Sequence, residues 1–336
     1  MRIAFNRKIR RSPWGGGTHF TTAMADFLTE RGHTVFHNLE PDLDAIVMID
    51  PRSEDGGFDA WDIQAYKRHN PKTKVLHRVN DTDIARGTDF LDKLNRQANL
   101  AVADHTVYIS EWVMDYYASS VARSTPGQLE STVEMLNWSC RPSTVITNGC
   151  DTNFFYPSDV IERDQRHKTM GYRPINLVTH HWSDNENKGL DLYKHLDELV
   201  GQKWYPGFKF TYIGRYPASY TPKNTIVIPP LYGHALGDEL RKHDVYVTAA
   251  RHEACGSHHV EGAASGMPIV FHNDGGGVVE MASRYGVGFD DVEHFRDALK
   301  ILESDYVTHR DKAIATDLSA KSMCEKYLDV IEKMIP

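Results

Sequence analysis

The stretch that decides the fold reads Asp244-Val-Tyr-Val-Thr-Ala-Ala-Arg-His-Glu253-Ala-Cys-Gly256-Ser257-His258-His259-Val-Glu261-Gly-Ala-Ala-Ser-Gly266-Met-Pro268-Ile-Val-Phe271. A β-rich run leads into a loop that contains Glu253 and Gly256. A short helix carrying Glu261 follows, and a turn at Gly266 and Pro268 enters a second β-rich run. A strand, a helix and a strand in this order predict one unit of a parallel α/β sheet.

The same alternation extends over the rest of the chain. In the N-terminal half the predicted strands are Ile3–Asn6, Thr34–His37, Ala45–Ile49, Lys74–Val79, Thr106–Ile109 and Thr144–Thr147. In the C-terminal half they are Asn176–Thr179, Lys209–Ile213, Thr225–Ile228, Val245–Ala249 and Pro268–Phe271. Apolar residues at helical spacing mark Thr18–Arg31, Leu190–Val200 and Glu293–Ser304 as helices. The sequence therefore predicts two Rossmann-like, doubly wound parallel sheets, which we expect to face each other across a cleft.

A chain of 336 residues suits two domains of about 150 residues each. The turn-forming segment Asn148–Pro157 is a natural linker. We therefore predict an N-terminal domain over residues 1–150 and a C-terminal domain over 151–317. We also predict a C-terminal helix in 318–336, and whether it packs on the first domain stays open.

Composition excludes several classes of protein. The formal net charge of −8 disfavours a whole-protein electrostatic grip on nucleic acid or an anionic membrane, although a local basic patch stays open. No apolar run approaches the roughly 20 residues that span a bilayer, and the N-terminus lacks the apolar core of a signal peptide. The four cysteines form no C-x-x-C pair. These features predict a cytoplasmic protein without a disulfide framework or a zinc knuckle.

Two N-terminal motifs lie where chemistry is common in α/β folds. Gly15-Gly16-Gly17-Thr18 follows the first strand and opens a helix, so its amides can approach a phosphate or a sugar, although a plain flexible turn reads the same way. A G-x-G-x-x-G motif is absent, which disfavours a dinucleotide site. Asp81-x-Asp83 spells the D-x-D of metal-dependent glycosyltransferases with a single sheet. Asp42-x-Asp44 has the same spelling, so we discount a metal clamp.

Charged residues follow two predicted strands of the C-terminal half. Lys188 sits where a helix begins and can neutralise a diphosphate, although a solvated lysine is the commoner situation. Glu253 and Glu261 flank a helix N-terminus, which can take a phosphate, while a carboxylate on the helix can accept two ribose hydroxyls. We expect Glu253 in the loop and Glu261 on the first turn of the helix that follows Gly256. A metal site is the alternative we disfavour; its ligands would come from His180, His181, His258, His259 and Glu261.

The quoted stretch resembles the E-x7-E element of retaining GT-B glycosyltransferases of the group 1, or family 4, type. Asn148-Gly149-Cys150-Asp151 with Phe155 and Pro157 is similar to the interdomain element of that family. Tyr232-Gly233 through Leu240 to Asp244-Val245-Tyr246-Val247 is similar to the segment that precedes E-x7-E. The order and spacing of these pieces cover nearly the whole chain.

The resemblance implies a role for particular residues. Glu253 would lie beside the transferred sugar, Glu261 would hold the donor ribose, and Lys188 would bind the diphosphate. Contacts to the donor would also come from Gly16, Gly17, Ser183, Arg215, Leu231, Tyr232, Gly256, Ser257 and His258. His77 matches a histidine that touches the sugar from the first domain.

One position departs from the family pattern. Ser183 stands where an arginine usually precedes the lysine by five residues. The diphosphate charge must then be met by Lys188 alone, or by His180, His181, Arg215 or the helix dipole.

The resemblance implies a metal-independent transfer of sugar from a nucleotide diphosphate sugar to an acceptor hydroxyl, with retention and without a further cofactor. The acceptor class stays open: a glycan, a lipid-linked sugar, a small molecule or a protein. Peripheral contact with a membrane also stays open. The alternatives are a GT-B nucleotide-sugar epimerase and a non-catalytic nucleotide-sugar-binding protein.

Overall fold

The computed structural model describes residues 1–9, 11, 15–53, 57–123, 141–158, 174–202 and 207–335. The chain divides into two compact units. The first unit comprises Met1–Asn148 together with Lys321–Pro336, and the second comprises Gly149–Ala320. The chain therefore crosses between the units twice, after Asn148 and after Ala320.

The first unit is built on a six-stranded sheet. Its strands are β1 (Arg2–Phe5), β2 (Thr34–Phe36), β3 (Ala45–Met48), β4 (Lys74–Val79), β5 (His105–Tyr108) and β6 (Ser143–Val145). Its helices are α1 (Gly16–Glu30), α2 (Ala60–His69), α3 (Asp83–Arg86), α4 (Leu91–Val102) and α5 (Glu111–Arg123). The strand order is β2-β1-β3-β4-β5-β6, and every pairing is parallel.

Helix α1 shows how an apolar stripe fixes a helix on this sheet. Phe20, Met24, Phe27 and Leu28 recur at helical spacing, and all four are buried. The helix stops before Gly32, whose φ of +79° is a backbone state that suits glycine.

The second unit repeats the architecture with different residues. Its strands are β7 (Ile175–His181), β8 (Phe208–Gly214), β9 (Ile226–Ile228), β10 (Val245–Thr248), β11 (Ile269–His272) and β12 (Gly286–Phe289). Its helices are α6 (Leu190–Val200), α7 (His234–Leu240), α8 (Ser257–Ala264), α9 (Gly277–Ala282), α10 (Phe295–Ser304) and α11 (Tyr306–Ala315). The strand order is β12-β11-β10-β7-β8-β9, again parallel throughout. The prediction of two doubly wound parallel sheets is confirmed.

The last helix, α12 (Ala320–Met334), packs in the first unit. The ring of Tyr327 lies 4.7 Å from the ring of Phe20 on α1, centroid to centroid. Met323, Cys324 and Ile331 are buried beside it. The chain thus begins and ends in the same unit. No helix in the described ranges is both long and apolar enough to cross a membrane.

The strand orders define one switch point in each sheet. In the first sheet the chain moves outward from β1 to β2 on one side, and from β3 onward on the other. In the second sheet it moves from β7 to β8 and β9, then returns to place β10 on the opposite side of β7. Loops that follow two such adjacent strands diverge and leave a crevice at the carboxyl edge of the sheet, where ligands bind in open α/β folds.

Candidate functional site

The Lys188 ammonium and the Glu253 carboxylate form an ion pair at the switch point of the second sheet. Lys188 ends a short 3₁₀ turn, Glu186–Lys188, after β7. Glu253 lies in the loop between β10 and α8, as predicted. The two side chains are 18% and 20% exposed, so both charges are half-buried and still open to solvent. The structure thus brings together Glu253, which the resemblance places beside the transferred sugar, and Lys188, which it places at the diphosphate.

Backbone contacts hold the two loops against each other. The amide of Arg251 donates to the carbonyl of Asn187 at 2.9 Å, next to Lys188 in the chain. The Arg251 guanidinium donates two hydrogen bonds, of 3.0 and 2.6 Å, to the carboxylate of Asp191 on α6. One contact joins the two loops and the other joins the Glu253 loop to α6, so together they set the backbone positions from which Lys188 and Glu253 meet.

The loop that carries Glu253 follows an unusual backbone path. His252, immediately before it, has a φ of +55°, which a side chain other than glycine rarely adopts. The Glu253 carbonyl accepts from the amide of Gly277 at 2.8 Å. Gly276, with a φ of +65°, approaches so closely that a Cβ atom there would lie 2.6 Å from that carbonyl oxygen. The strained turn at His252 and the close glycine together set the direction of the glutamate.

Helix α8 begins beside this pair. Its N-cap is Gly256, which provides no side-chain oxygen for the first amides. Amides of the first turn have no partner within a helix, and the helix dipole places partial positive charge there. An added Cβ atom at Gly256 would contact the ring of His258 and lie 3.0 Å from Cγ of Glu253. Gly256 and the half-buried Ser257 are therefore placed to offer amides to an anion.

Glu261 lies deeper than the sequence suggested. We expected it on the first turn of the helix, but α8 starts at Ser257, so Glu261 lies in the second turn. Glu261 is 4% exposed, and its Oε2 atom accepts a hydrogen bond from Nε2 of His180 at 2.7 Å. The expectation of a first-turn position was wrong because Glu261 is the fifth residue of α8, whereas one helical turn holds about 3.6 residues.

Histidines at the end of β7 and on α8 form a buried polar layer beneath the pair. Nε2 of His181 lies 2.8 Å from the Tyr193 hydroxyl, and Nε2 of His258 lies 3.0 Å from the Thr248 hydroxyl. Burial, with Lys188 and His180 nearby, lowers the pKa of His181 well below its usual range. Burial and the neighbouring His181 do the same to the pKa of His258. The lowered pKa favours the neutral form of the His181 ring, which carries no charge to replace the arginine that the family has at the position of Ser183.

The remaining donor-side residues lie at or near the carboxyl edge of the same sheet. Arg215 follows β8 directly, its side chain is exposed, and its amide donates to the His181 carbonyl at 2.9 Å. Within the described ranges its guanidinium has no ion-pair partner. The Ser183 hydroxyl accepts from the Asn185 amide at 3.2 Å. Leu231 and Tyr232 are half-buried in the loop before α7, where the Tyr232 ring packs edge-on against Phe154.

The residues expected from the first domain are placed in the first unit. Gly16 is the first residue of α1, and Gly17 is buried beside the Arg7 guanidinium. His77 lies inside β4 with no exposed surface, and its Nδ1 atom is 3.0 Å from the amide nitrogen of Asn99. Burial lowers its pKa to about 4. Such a position gives no support to contact between His77 and a sugar.

The two carboxylates of the D-x-D motif, Asp81 and Asp83, contact residues close to them in the chain. The Asp81 carboxylate pairs with Arg86, and the Asp83 carboxylate accepts from the amides of Leu91 and Asp92 at 2.8 and 3.1 Å. The side chains therefore organise the turns around α3 and α4. Across the described part of the chain, no three His, Cys, Asp or Glu side chains meet in a geometry suited to a metal ion.

The sequence prediction omitted three residues that shape the site: Arg251, Asp191 and Tyr246, whose hydroxyl lies 3.1 Å from Nδ1 of His180. Arg251 and Tyr246 lie within the quoted stretch, so their closeness to Glu253 in the chain was an available signal. Asp191 lies on a helix 60 positions away from Arg251, and nothing local marks it as a partner.

Two six-stranded, parallel, Rossmann-like units in one chain constitute the GT-B fold. No family model and no curated protein sequence matches this chain. Solved structures do match it. Sucrose-phosphate synthase from Thermosynechococcus elongatus has a TM-score of 0.69 at 12% identity, covering 99% of this chain and 98% of that one. HepE from Anabaena, solved with UDP and glucose, has a TM-score of 0.67 at 11% identity, covering 98% and 99%. WaaG, a glycosyltransferase involved in lipopolysaccharide biosynthesis, has a TM-score of 0.64 at 14% identity, covering 98% and 99%. These similarities establish that the chain has the fold of GT-B glycosyltransferases.

Proposed function

We propose that the protein is a glycosyltransferase that uses a nucleotide diphosphate sugar and needs no metal ion. The observation that carries the proposal is the Lys188–Glu253 pair, which lies at the switch point of the second sheet beside the uncapped N-terminus of α8. A cation and helix amides suit a diphosphate, and a carboxylate at the same point suits the sugar attached to it.

In this mechanism the diphosphate replaces Glu253 as the partner of Lys188. Departure of the nucleoside diphosphate leaves positive charge on the anomeric carbon and negative charge on the leaving oxygen. Lys188 and the amides of Gly256 and Ser257 stabilise the negative charge, and Glu253, released from its ion pair, faces the positive charge. The acceptor hydroxyl attacks from the face that the diphosphate leaves, and its proton passes to the leaving phosphate. The sugar then retains its anomeric configuration.

Arg215 completes the charge balance in this proposal. A diphosphate needs more positive charge than one ammonium supplies, and Ser183 contributes none. Arg215 follows β8, the neighbour of β7 in the sheet, and its backbone is bonded to His181 at the base of the Lys188 loop. Its exposed guanidinium is therefore the cation we assign to the nucleotide beside Lys188.

A cytoplasmic location remains part of the proposal. Cys150, Cys255 and Cys324 are all buried free thiols, which suits a reducing compartment. Fractionation of cells that express the tagged chain would test it, and recovery from the exterior would contradict it.

The direct test is an assay with UDP-, GDP- and ADP-sugars in excess EDTA, with and without a panel of acceptors. A second structure of HepE was solved in complex with UDP-glucose, so UDP-glucose is the first donor to try. We expect nucleoside diphosphate release that depends on an acceptor, and a product whose anomeric proton shows retention by NMR. Conversion of donor alone into an epimer would favour the epimerase. Binding without turnover would favour a binding protein. Loss of activity in EDTA, restored by Mn²⁺ or Mg²⁺, would contradict metal independence.

A further inference from the structure

The His180 ring is bonded at both nitrogens in the interior of the second unit. Nε2 lies 2.7 Å from Oε2 of Glu261, and Nδ1 lies 3.1 Å from the Tyr246 hydroxyl. The side chains of His180 and Glu261 are 1% and 5% exposed. Three elements meet here, because His180 is on β7, Tyr246 on β10 and Glu261 on α8.

Hydrogen-bond chemistry fixes the direction of the bond between His180 and Glu261. An ionised Glu261 carboxylate only accepts, so Nε2 of His180 must carry the proton that it shares with Oε2. Burial raises the pKa of the Tyr246 hydroxyl, which therefore keeps its proton and can donate it to Nδ1. The same hydroxyl accepts from the His180 amide at 3.1 Å. The hydroxyl also lies 3.4 Å from the His180 carbonyl, so the bond to Glu261 keeps its direction whichever way the hydroxyl is turned.

Close packing of α8 on β10 makes the arrangement possible. The residue after Glu261 is Gly262, and a Cβ atom there would lie 2.5 to 3.1 Å from atoms of Tyr246. Only a residue without a side chain lets the helix approach the tyrosine at this distance. The approach brings Glu261 within reach of His180, so the sequence Glu261-Gly262 and the histidine 81 positions earlier belong to one arrangement.

We infer that His180 is a positioning residue that orients the Glu261 carboxylate toward the ribose of the donor. The inference rests on the proposed function, in which Glu261 binds that ribose. By holding one carboxylate oxygen, His180 fixes the plane of the carboxylate, and a preoriented acceptor loses less entropy when it binds the ribose hydroxyls. His180 itself touches no substrate in this arrangement, and neither Tyr246 nor Gly262 needs to.

The test compares binding of UDP and 2′-deoxy-UDP by calorimetry, with GDP and ADP and their 2′-deoxy forms as substitutes if UDP does not bind. A hydrogen bond to a charged group is strong enough that we expect the wild type to prefer the ribonucleotide by about ten-fold. His180→Met keeps the length of the side chain and removes the donor. It should weaken ribonucleotide binding by about ten-fold and reduce the preference over the deoxy form toward one. Pyrophosphate, which has no ribose, should bind both proteins equally.

Two further variants separate positioning from folding. The amide nitrogen of glutamine can occupy the place of the histidine Nε2 atom, so His180→Gln should restore most of the preference for ribose. Tyr246→Phe removes only the hydroxyl that holds Nδ1 and should cause a smaller loss, which keeps the test informative if His180→Met does not fold. The matched control is His243→Met, because His243 is also buried but precedes β10 at the opposite edge of the sheet. It should bind both nucleotides like the wild type.

Two outcomes would overturn the inference: an unchanged ribose preference in folded His180→Met, or a His180→Gln variant as impaired as His180→Met. If the wild type binds none of the three ribonucleotides, the proposed function fails first, and the role of His180 fails with it.

Discussion

The two switch points have the same strand geometry but differ in the side chains that join their loops. In the first unit the Asn6 side chain bonds the Asp50 carbonyl, and its oxygen accepts from the Ile49 amide at 2.8 Å. Asp50 in turn pairs with Arg52, two residues away, at 2.7 Å. Asn6 thus ties the end of β1 to the end of β3 through uncharged groups, and the charged pair Asp50–Arg52 lies within a single loop.

At the second switch point the charged groups come from distant loops. Lys188 and Glu253 lie 65 positions apart and neutralise each other across the gap between β7 and β10. An ion pair between half-buried groups can exchange partners when a ligand brings its own charges, whereas the uncharged amide of Asn6, already bonded to the backbone after β3, has no charge to exchange. The comparison teaches that the sheet provides the crevice, and that the residues after each strand decide whether it becomes a site of chemistry.

The largest expected effect comes from breaking the pair at its carboxylate. Glu253→Gln keeps the shape of the side chain but removes the charge that faces the anomeric carbon. We expect kcat to fall by about 100-fold or more, with a smaller change in donor KM. Kinetics of the acceptor reaction and the melting temperature would be measured together.

Glu239→Gln is the matched control, since Glu239, near the end of α7, also pairs with a lysine, the exposed Lys242 that follows the helix. It should leave kcat unchanged. A normal kcat for Glu253→Gln would remove the assignment on which the proposed mechanism depends most.

A smaller effect is expected from breaking the pair at its cation. Lys188→Ala should weaken binding of the nucleoside diphosphate by on the order of 10- to 100-fold, because a charge-assisted bond at a partly desolvated phosphate is lost. Calorimetry with the free diphosphate measures this without an acceptor.

The control for the cation is Lys242→Ala, which removes the exposed lysine that pairs with Glu239. Equal affinity of wild type and Lys188→Ala for the diphosphate would take Lys188 out of the site.

Lowering the pH should destabilise the second unit more than the first. Burial lowers the pKa of His259 to about 4, against 6.5 for an unhindered ring. Between these values the unfolded chain binds a proton that the folded chain excludes, so stability is complete above pH 6.5 and declines as pH falls toward 4. Each such histidine costs about 1.4 kcal/mol of stability at pH 5.5. His181 and His258 add to this in the second unit, whereas the first unit has His77 as its fully buried counterpart.

Hydrogen exchange at pH 7.5 and 5.5, followed for peptides of each unit, checks the comparison. We expect earlier opening of the second unit at the lower pH, and a shallower dependence of melting temperature on pH for His259→Leu. His69→Leu is the control, because the His69 side chain is exposed on α2. Equal acid sensitivity of the two units would contradict the comparison.

Sequence patterns were sufficient for elements whose signal is local. The run Lys74–Val79 agrees with β4 at both ends because an apolar segment is bounded by polar turns. Strand β12 was missed because Gly286-Val287-Gly288-Phe289 has two glycines and little apolar patterning. It forms through pairing with β11, and Cβ atoms at Gly286 and Gly288 would collide with the Ile269 carbonyl and with Asn273. That requirement is tertiary and leaves no local pattern.

The site followed the same division. Lys188 and Glu253 were recognisable from their places after strands, but their contact depends on β7 and β10 being neighbours, which strand order decides. The histidine that bonds Glu261 was considered as a metal ligand or a cation. Its role as a partner of Glu261 depends on how closely α8 packs on β10, and this cannot be deduced from residue type.

The smallest expected effects compare two helix N-termini. In the first unit the Asp59 carboxylate caps α2 by accepting from the amides of Trp61 and Asp62 at 2.8 and 2.9 Å. Asp59→Ala should therefore cost about 1 kcal/mol of stability, or about 2 °C in melting temperature, with no change in donor KM.

In the second unit Gly256 leaves the amides of α8 without a side-chain cap. Gly256→Ala should push the His258 ring and Glu253 aside, raising donor KM by a few-fold while the melting temperature changes little. Melting curves and donor titrations on both variants decide between the two roles. If Gly256→Ala lost stability alone, and kept its donor KM, the N-terminus of α8 would be structural like that of α2, and the contrast between the two units would rest on the ion pair only.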